Sequence, residues 1–339
     1  MQKIIFTSQP ASAELCLNEL NGAGLSFNFL KWLGAGVGIL ETDISFSDFS
    51  VAVRESRLIF LRHICPADIV ISLENAGAAN LNQAVLAVCD NIKDTLPKDS
   101  GFSVQVRRSA DVKCDISGLQ HTIADEISSC GCSLNVRCPV NILSVYICRD
   151  EAYIGMSAAA DNLSSWPGGM RRYAMLPQTV SRAEFKLLEA LEYLNISIKG
   201  GRALDLGAAP GGWSRVLAEK GCLVDAVDPA DLAEAVSKNP NITHHKCLAQ
   251  DFAQDNNRSY DIIVNDMKMD VQQSAGIIMD FAGFLKPDGI VIMTFKLVKK
   301  NRMAAIRKGI ELLQGKYECL MLKQLFNNRS EVTVALKRK

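Results

Sequence analysis

In the second half of the chain, apolar runs of strand length alternate with segments whose apolar residues recur at helical spacing. Strands are predicted at 202–206, 223–227, 260–265, 289–295 and 331–336, and helices at 211–220, 271–284 and 302–313. Regular alternation of strands and helices is typical of a doubly wound, mainly parallel sheet. We therefore predict an α/β domain with a Rossmann-like sheet over residues 181–339.

A further helix is predicted at the start of this domain. Its apolar residues recur at three-residue steps, a helical stripe: Phe185, Leu188, Leu191 and Leu194. Ser181 stands three residues before Glu184, which is the capping-box pattern. We expect the helix to begin at Ser181, with its hydroxyl accepting a hydrogen bond from the first turn.

The first 165 residues mix short strands and helices without regular alternation. Strands are predicted at 3–7, 36–41, 102–107 and 143–148, and helices at 11–23, 81–92 and 116–126. This pattern indicates an α+β region of two small subdomains that meet near residue 60. Turn-forming residues from Asn162 to Gly169 mark its end.

Composition narrows the class of protein. The chain has 339 residues, of which 48% are hydrophobic and 22% charged, as in folded globular proteins of two or three domains. We expect no membrane span, because no apolar run reaches about 18 residues, and no signal peptide at the N-terminus. The 11 cysteines lack C-x-x-C pairs. We therefore predict a reduced, cytoplasmic protein without a disulfide framework and without a metal site.

Charge is distributed unevenly although the net charge is zero. Residues 1–165 contain 12 basic and 18 acidic residues, whereas the remainder contains 25 basic and 19 acidic residues. From residue 289 to 339 there are 12 basic residues and 3 acidic ones. A basic half is suited to phosphate contact, but a solvated basic face explains the same count. Charge alone leaves both interpretations open.

The most informative segment is a glycine-rich connection between a predicted strand and a predicted helix, residues 203–214. Gly207, Gly211 and Gly212 allow close approach of a ligand to the backbone, and the helix start offers unpaired N–H groups. Asp228 ends the next strand, where a carboxylate can accept from ribose hydroxyls. The spacing lacks the dinucleotide pattern G-x-G-x-x-G. It therefore favours a nucleoside-bearing cofactor without a pyrophosphate.

Asp205-Leu-Gly-Ala-Ala-Pro-Gly-Gly-Trp-Ser214 resembles the S-adenosylmethionine loop of the FtsJ-like ribose 2′-O-methyltransferases. Ser181-Arg-Ala-Glu-Phe-Lys186-Leu is similar to a helix start of that family. Asn265-Asp266-Met267 and Ser330-Glu331-Val332 resemble its later acidic motifs. The resemblance is close over residues 181–339 and looser over 1–165.

Within this family, Thr294-Phe-Lys296-Leu-Val-Lys-Lys300 is similar to a stretch of the enzymes that methylate a cytidine ribose in 23S ribosomal RNA. Those enzymes carry a ferredoxin-like region and a THUMP RNA-binding domain, and residues 57–65 and 102–108 resemble parts of them. The resemblance implies a ferredoxin-like subdomain at 1–58, a THUMP-like RNA-binding subdomain at 59–165, a linker at 166–180 and a methyltransferase domain at 181–339. It implies RNA, specifically 23S ribosomal RNA, as the partner.

The resemblance also implies a catalytic tetrad of Lys186, Asp266, Lys296 and Glu331. Lys296 is the predicted base and Lys186 the neighbouring cation that stabilises the alkoxide. Asp266 is expected to orient Lys296, and Glu331 to hold a lysine or the ribose.

The second lysine has neighbouring alternatives. In the shorter FtsJ-like enzymes it stands at the position of Thr294, and Lys268, Lys299 and Lys300 lie close to Lys296 in the sequence. A lysine acts as a base only if burial or a neighbouring cation lowers its pKa, and sequence does not assign those environments.

The implied cofactor is S-adenosyl-L-methionine. The residues implied to contact it lie in the loop, at strand ends and at the helix start: Ser181, Gly207, Ala209, Pro210, Gly211, Gly212, Trp213, Asp228, Asp251, Phe252 and Asp266. Cations outside the tetrad are the candidates for RNA phosphate contact: Arg107, Arg108, Arg171, Arg172, Lys299 and Lys300.

Two other functions compete with a ribose methyltransferase. A nicotinamide dehydrogenase uses a similar sheet, but the missing dinucleotide pattern counts against it. An RNA-binding or ribosome-assembly protein that keeps the fold without turnover is the non-enzymatic alternative. The complete tetrad argues against this non-enzymatic alternative.

Overall fold

The computed structural model describes residues 1–73, 83, 85–87, 100–298 and 300–339. They divide into two compact units, Met1–Arg171 and Arg172–Lys339. The division falls inside the predicted linker, and residues 170–180 contain neither helix nor strand. In the described part of the chain, no helix combines the length and apolar character needed to cross a bilayer.

The first unit opens with a four-stranded antiparallel sheet of order β2-β3-β1-β4. Its elements in chain order are β1 (Gln2–Thr7), α1 (Ala13–Gly22), β2 (Asn28–Gly34), β3 (Val37–Thr42), α2 (Phe46–Glu55) and β4 (His63–Pro66). This β-α-β-β-α-β order is the ferredoxin-like arrangement. β4 pairs with β1, so the first sheet extends past residue 58 into the segment predicted for the second subdomain.

A five-stranded sheet of order β5-β9-β8-β6-β7 follows in the same unit. Its elements are β5 (Ile69–Ser72), β6 (Gly101–Arg108), α3 (Ile116–Ser129), β7 (Ser133–Leu134), β8 (Asn141–Ile147) and β9 (Glu151–Ala158). Phe102 and Val104 pack in one buried cluster with Ile123 of α3. The helix predicted at 81–92 lies largely outside the described residues. The assignment of this region as THUMP-like stays a prediction.

The second unit is built on a seven-stranded sheet of order β12-β11-β10-β13-β14-β16-β15. Its strands are β10 (Arg202–Leu206), β11 (Leu223–Val227), β12 (Ile242–His245), β13 (Tyr260–Asn265), β14 (Leu285–Lys296), β15 (Tyr317–Lys323) and β16 (Glu331–Arg338). Its helices are α4 (Glu184–Tyr193), α5 (Gly212–Glu219), α6 (Glu234–Ser237), α7 (Ala249–Asp255), α8 (Val271–Asp280) and α9 (Arg302–Leu313). Strands β10 to β14 run parallel, and β16 is antiparallel to both neighbours. The predicted α/β fold class is confirmed.

Several elements of this unit differ from the sequence prediction, and the short elements β12, α6 and α7 were not predicted. The strand Tyr317–Lys323 was not predicted, because charged residues interrupt its apolar pattern at an edge of the sheet. β14 begins at Leu285 and passes through the Pro-Asp-Gly segment with a register shift. α8 ends at Asp280, and a short 3-10 helix, Phe281–Phe284, follows it.

Candidate active site

The site lies where the order of the strands reverses. From β10 the chain builds β11 and β12 on one side, then returns to place β13 on the other. In open α/β sheets, ligands bind at the carboxyl ends of the strands at such a point. Leu206 of β10 pairs with Asn265 of β13, so Gly207 and Asp266 leave the sheet side by side.

The glycine-rich loop after β10 has a backbone that only glycine adopts easily. Gly207 and Gly211 have φ values of 73° and 104°, in the left-handed region that side chains disfavour. A Cβ atom on Gly211 would lie 2.6 Å from Cγ1 of Val236. Across the loop, Asp228 at the end of β11 accepts a hydrogen bond from the backbone N–H of Ala209 at 3.1 Å. The loop, the start of α5 and Asp228 therefore lie next to one another.

Ser181 lies against the start of α5. Its buried Oγ has no hydrogen-bond partner among the described residues, and a Cβ atom on Gly212 would lie 2.5 Å from it. The helix begins at Glu184, so the prediction that the Ser181 hydroxyl caps it is wrong. Glu184 instead accepts from the backbone N–H groups of Val180 and Ser181, at 2.7 and 3.3 Å.

Lys186 contacts both carboxylates of the predicted tetrad. It lies in the first turn of α4, and its Nζ is 3.0 Å from Oδ2 of Asp266 and 2.7 Å from Oε1 of Glu331. Side-chain exposure is 15% for Lys186, 16% for Asp266 and 8% for Glu331. These ion pairs are thus largely shielded from water. A shielded ion pair has a stronger electrostatic attraction than a pair at the surface.

Lys296 contacts the same two carboxylates. Its Nζ is 2.6 Å from Oε2 of Glu331, and it also donates to Oδ1 of Asp266. Thr294, two residues earlier on β14, donates to the same Asp266 oxygen at 2.6 Å. The two lysines and two carboxylates therefore form a closed ring of alternating charge.

Neighbouring charges determine the protonation of Lys186 and Asp266. Burial alone would lower the pKa of Lys186, but the carboxylates of Asp266 and Glu331 outweigh burial and raise that pKa above its ordinary value. Burial likewise opposes ionisation of Asp266, but Lys296 and Lys186 outweigh it and lower its pKa. At neutral pH Lys186 is a cation and Asp266 an anion.

A cavity of about 920 Å³ opens beside the ring and is lined in part by Lys186, Asp266, Lys296 and Glu331. Lys268, the alternative base, lines the same cavity and is exposed. Among the hydrogen bonds and ion pairs of the described residues, none joins Lys268 to the ring.

The other predicted cofactor residues occupy different environments. Trp213 is buried in the core, and its Nε1–H donates to the carbonyl of Ala183 at 2.7 Å. Its indole therefore supports the start of α4 instead of facing a ligand. Asp251 is exposed in the first turn of α7, and the ring of Phe252 lies 4.7 Å from that of His245.

The predicted RNA contacts are not one cluster of exposed cations. The guanidinium of Arg107 lies 5.2 Å from the centre of the Tyr146 ring, and the residue is half-buried. Its contact with RNA stays a prediction. The guanidinium of Arg171 lies 4.1 Å from the centre of the Trp166 ring.

The remaining candidates lie in several places. Arg108 and Lys300 are exposed, and Arg172 lines the cavity beside the ring. Lys299 lies outside the described residues.

Two contributors to the site were missed by sequence reasoning. Glu189, 7% exposed, accepts backbone hydrogen bonds from Phe326 and Asn327, both at 2.8 Å. The aromatic ring of Tyr173 stacks on Phe185 beside Lys186. Neither contact was predicted from the sequence. Glu189 meets a segment about 137 residues away, and the Tyr173 contact depends on the path of a segment that contains neither helix nor strand.

Residues 179–282 match the model of the FtsJ-like methyltransferase family. Three curated proteins similar to this chain carry the name ribosomal RNA large subunit methyltransferase M. That of Azoarcus sp. (strain BH72) is 34% identical over 52% of this chain and 51% of its own length. That of Thauera aminoaromatica is 30% identical over 63% of this chain and 61% of its own length. That of Pseudomonas entomophila (strain L48) is 29% identical over 58% of this chain and 58% of its own length.

The chain thus spans between half and about three fifths of the length of these curated relatives. The family match covers the glycine-rich loop and Asp266, while Lys296 and Glu331 lie beyond it. The predicted resemblance of the second unit to the FtsJ-like methyltransferases is confirmed.

Proposed function

We propose that this protein is an S-adenosylmethionine-dependent RNA ribose 2′-O-methyltransferase. The observation that carries the proposal is the ring of Lys186, Asp266, Lys296 and Glu331 at the carboxyl ends of the strands, next to the glycine-rich loop. A ribose hydroxyl needs a base and a neighbouring cation, and this ring contains both.

Several features of the loop fit a nucleoside-bearing cofactor. Gly211 and Gly212 have no side chains, so Val236 and Ser181 pack directly against the loop at the start of α5. Ser181 presents a buried hydroxyl without a partner there, and Asp228 presents its carboxylate across the loop. We assign S-adenosylmethionine to this position, held by these residues. When bound, it supplies the electrophilic methyl group.

The two lysines have different roles at the ribose. Lys186, kept protonated by Asp266 and Glu331, donates a hydrogen bond to the 2′-oxygen as negative charge develops on it. Lys296, once it has lost its own proton to solvent, accepts the proton of the 2′-hydroxyl on Nζ. Asp266 and Glu331 each contact both lysines, which holds the two Nζ atoms in fixed relative positions.

RNA as the substrate is supported by the names of the relatives and by the basic second half of the chain. We include 23S ribosomal RNA as the specific target, with the segment 59–165 as a THUMP-like RNA-binding subdomain. Because the first half is acidic in total, it is expected to recognise RNA through shape and local basic groups.

The test is methyl transfer from radiolabelled S-adenosylmethionine to ribosomal RNA taken from cells that lack this protein. The purified wild-type protein is expected to label the large-subunit RNA at one ribose, mapped as a 2′-O-methyl mark. Label on a base would overturn the 2′-O assignment. RNA binding without transfer would support the non-enzymatic alternative.

A further inference from the structure

The cavity beside the ring has aromatic walls that the reaction chemistry does not use. Tyr173, Phe185 and Phe326 all line it together with Lys186 and Glu331. Aromatic faces beside a ribose-activating site suit a nucleobase, since every base offers a π-face for stacking.

One wall is a stacked pair of rings. The centroids of Tyr173 and Phe185 are 5.4 Å apart with planes inclined by 19°. Phe185 is 8% exposed, whereas Tyr173 is half-buried at the cavity wall. The Tyr173 hydroxyl donates to Oε2 of Glu192 at 2.9 Å. The stacking on Phe185 and this hydrogen bond together fix the orientation of the Tyr173 ring.

The other wall is tied to the helix that carries Lys186. Glu189, three residues after Lys186 and so on the same side of α4, accepts the backbone N–H groups of Phe326 and Asn327. The side-chain amide of Asn327 donates to Glu189 at 2.6 Å. This carboxylate sets the position of Phe326 relative to the catalytic lysine.

The lining is strongly cationic. Six of the lining residues are basic and two acidic, and the two acids, Asp266 and Glu331, are already paired with lysines of the ring. The surplus comes from side chains outside the ring: Arg172, Arg182, Lys268 and Arg329. Such groups around an aromatic pocket suit the phosphates on either side of a bound nucleotide.

We propose that this cavity binds one unpaired nucleotide of the RNA, with its base stacked on Tyr173 and its flanking phosphates near Arg182, Lys268 and Arg329. The inference rests on the proposed function, because the ring then receives the ribose of the same nucleotide. The volume of about 920 Å³ is ample for a nucleotide, since small-ligand pockets measure roughly 300–1,000 Å³.

This placement has a consequence for the RNA. A base inside a continuous helix is stacked on both faces, so it must leave the stack before it can lie on Tyr173, as in enzymes that flip bases. The substrate class is therefore RNA whose target nucleotide is single-stranded or readily unpaired.

The experiment compares Tyr173→Leu, Tyr173→Phe and the control Tyr193→Leu, an exposed tyrosine at the end of the same helix that carries Lys186. Single-turnover methyl transfer is measured against RNA concentration, and S-adenosylmethionine affinity by calorimetry. Tyr173→Leu is expected to raise the RNA concentration for half-maximal rate by about 5- to 150-fold, the range expected when one base–aromatic stack is removed. Tyr173→Phe keeps the ring and is expected to stay within about threefold of wild type, like the control.

A second measurement uses two RNAs that differ only in whether the mapped target nucleotide is paired. Wild type is expected to prefer the unpaired form, because the paired form must first be opened. Tyr173→Leu is expected to need a higher concentration of both RNAs and to keep the preference, since the cost of opening lies in the RNA. If Tyr173→Leu folds, binds cofactor and keeps wild-type RNA dependence with both RNAs, the nucleotide site is wrong while the methyltransferase stands. If wild type transfers no methyl group to any RNA, the proposed function itself fails.

Discussion

Lys296 and Glu331 are directly opposite each other in the antiparallel pairing of β14 with β16, and their side chains meet at 2.6 Å. The second oxygen of Glu331 is 2.7 Å from Nζ of Lys186. One carboxylate therefore bridges the proposed base and the proposed cation. The sheet register, which backbone hydrogen bonds hold, sets the position of the base relative to its partner.

Replacing Lys296 by alanine is expected to remove methyl transfer while leaving cofactor affinity nearly intact, because this ammonium group contacts Asp266 and Glu331 and not the glycine-rich loop. Loss of a general base costs about 10²–10⁴ in rate. The measurement is single-turnover transfer at saturating RNA, with calorimetry for the cofactor.

Lys268→Ala and Lys300→Ala are the matched controls for Lys296. Both side chains are exposed, so their removal is expected to weaken RNA binding modestly and to leave turnover at saturating RNA little changed. If Lys268→Ala has no methyl transfer and Lys296→Ala has a near-normal rate of transfer, Lys268 and not Lys296 is the base.

Gly211→Val is expected to abolish S-adenosylmethionine binding. Gly211 has a φ of 104°, and a Cβ atom there would lie 2.6 Å from Val236, so the loop must move to accept any side chain. Gly276→Val is the control, because a Cβ atom on Gly276 meets nothing within 4 Å. If a folded Gly211→Val protein binds S-adenosylmethionine with undiminished affinity in calorimetry, the assignment of the cofactor to this loop is wrong.

The sequence predicted the parallel core of the second unit because its buried strands are short, apolar and followed by recognisable helices. The four residues of the tetrad could be predicted for another reason, because they lie in motifs that resemble one family: Lys186, Asp266, Lys296 and Glu331. No pattern in the chain alone states that these four side chains meet. That information lies in the order of the strands and in the β14–β16 register.

The errors have physical causes. The Ser181–Glu184 pattern predicted a reciprocal cap, but Arg215 also pairs with Glu184 and the helix begins three residues later than expected. The contact of Arg107 with the aromatic face of Tyr146 was not predicted, because it depends on the pairing of β6 with β8. The pairing of Glu189 with the 326–327 backbone joins segments about 137 residues apart, a separation at which local patterns carry no signal.

Neutralising exposed cations is expected to flatten the salt dependence of RNA binding. Arg108→Gln and Arg172→Gln each remove one exposed charge, and the removal of one phosphate-binding cation lowers the slope of log K against log salt by about 0.7–0.9. Lys238→Gln is the control, since Lys238 is exposed but paired with Glu234 within one helical turn. Binding titrations at several salt concentrations give the slopes. Slopes equal to that of wild type in both arginine variants would place the RNA surface elsewhere.

Asp205 is expected to make the protein less stable as the pH rises. Burial raises its pKa to about 7, although the Ser214 hydroxyl donates to it at 2.6 Å, whereas an unfolded aspartate has a pKa of about 3.9. Between these values the folded state binds more protons than the unfolded state, so the free energy of unfolding falls with increasing pH. Asp205→Asn keeps an oxygen that can accept from Ser214 and removes the ionisation. Its advantage over wild type is expected to grow from pH 4 to pH 7 by an amount on the order of 4 kcal/mol, measured by urea unfolding at each pH. Parallel stability curves for the two proteins would contradict the raised pKa.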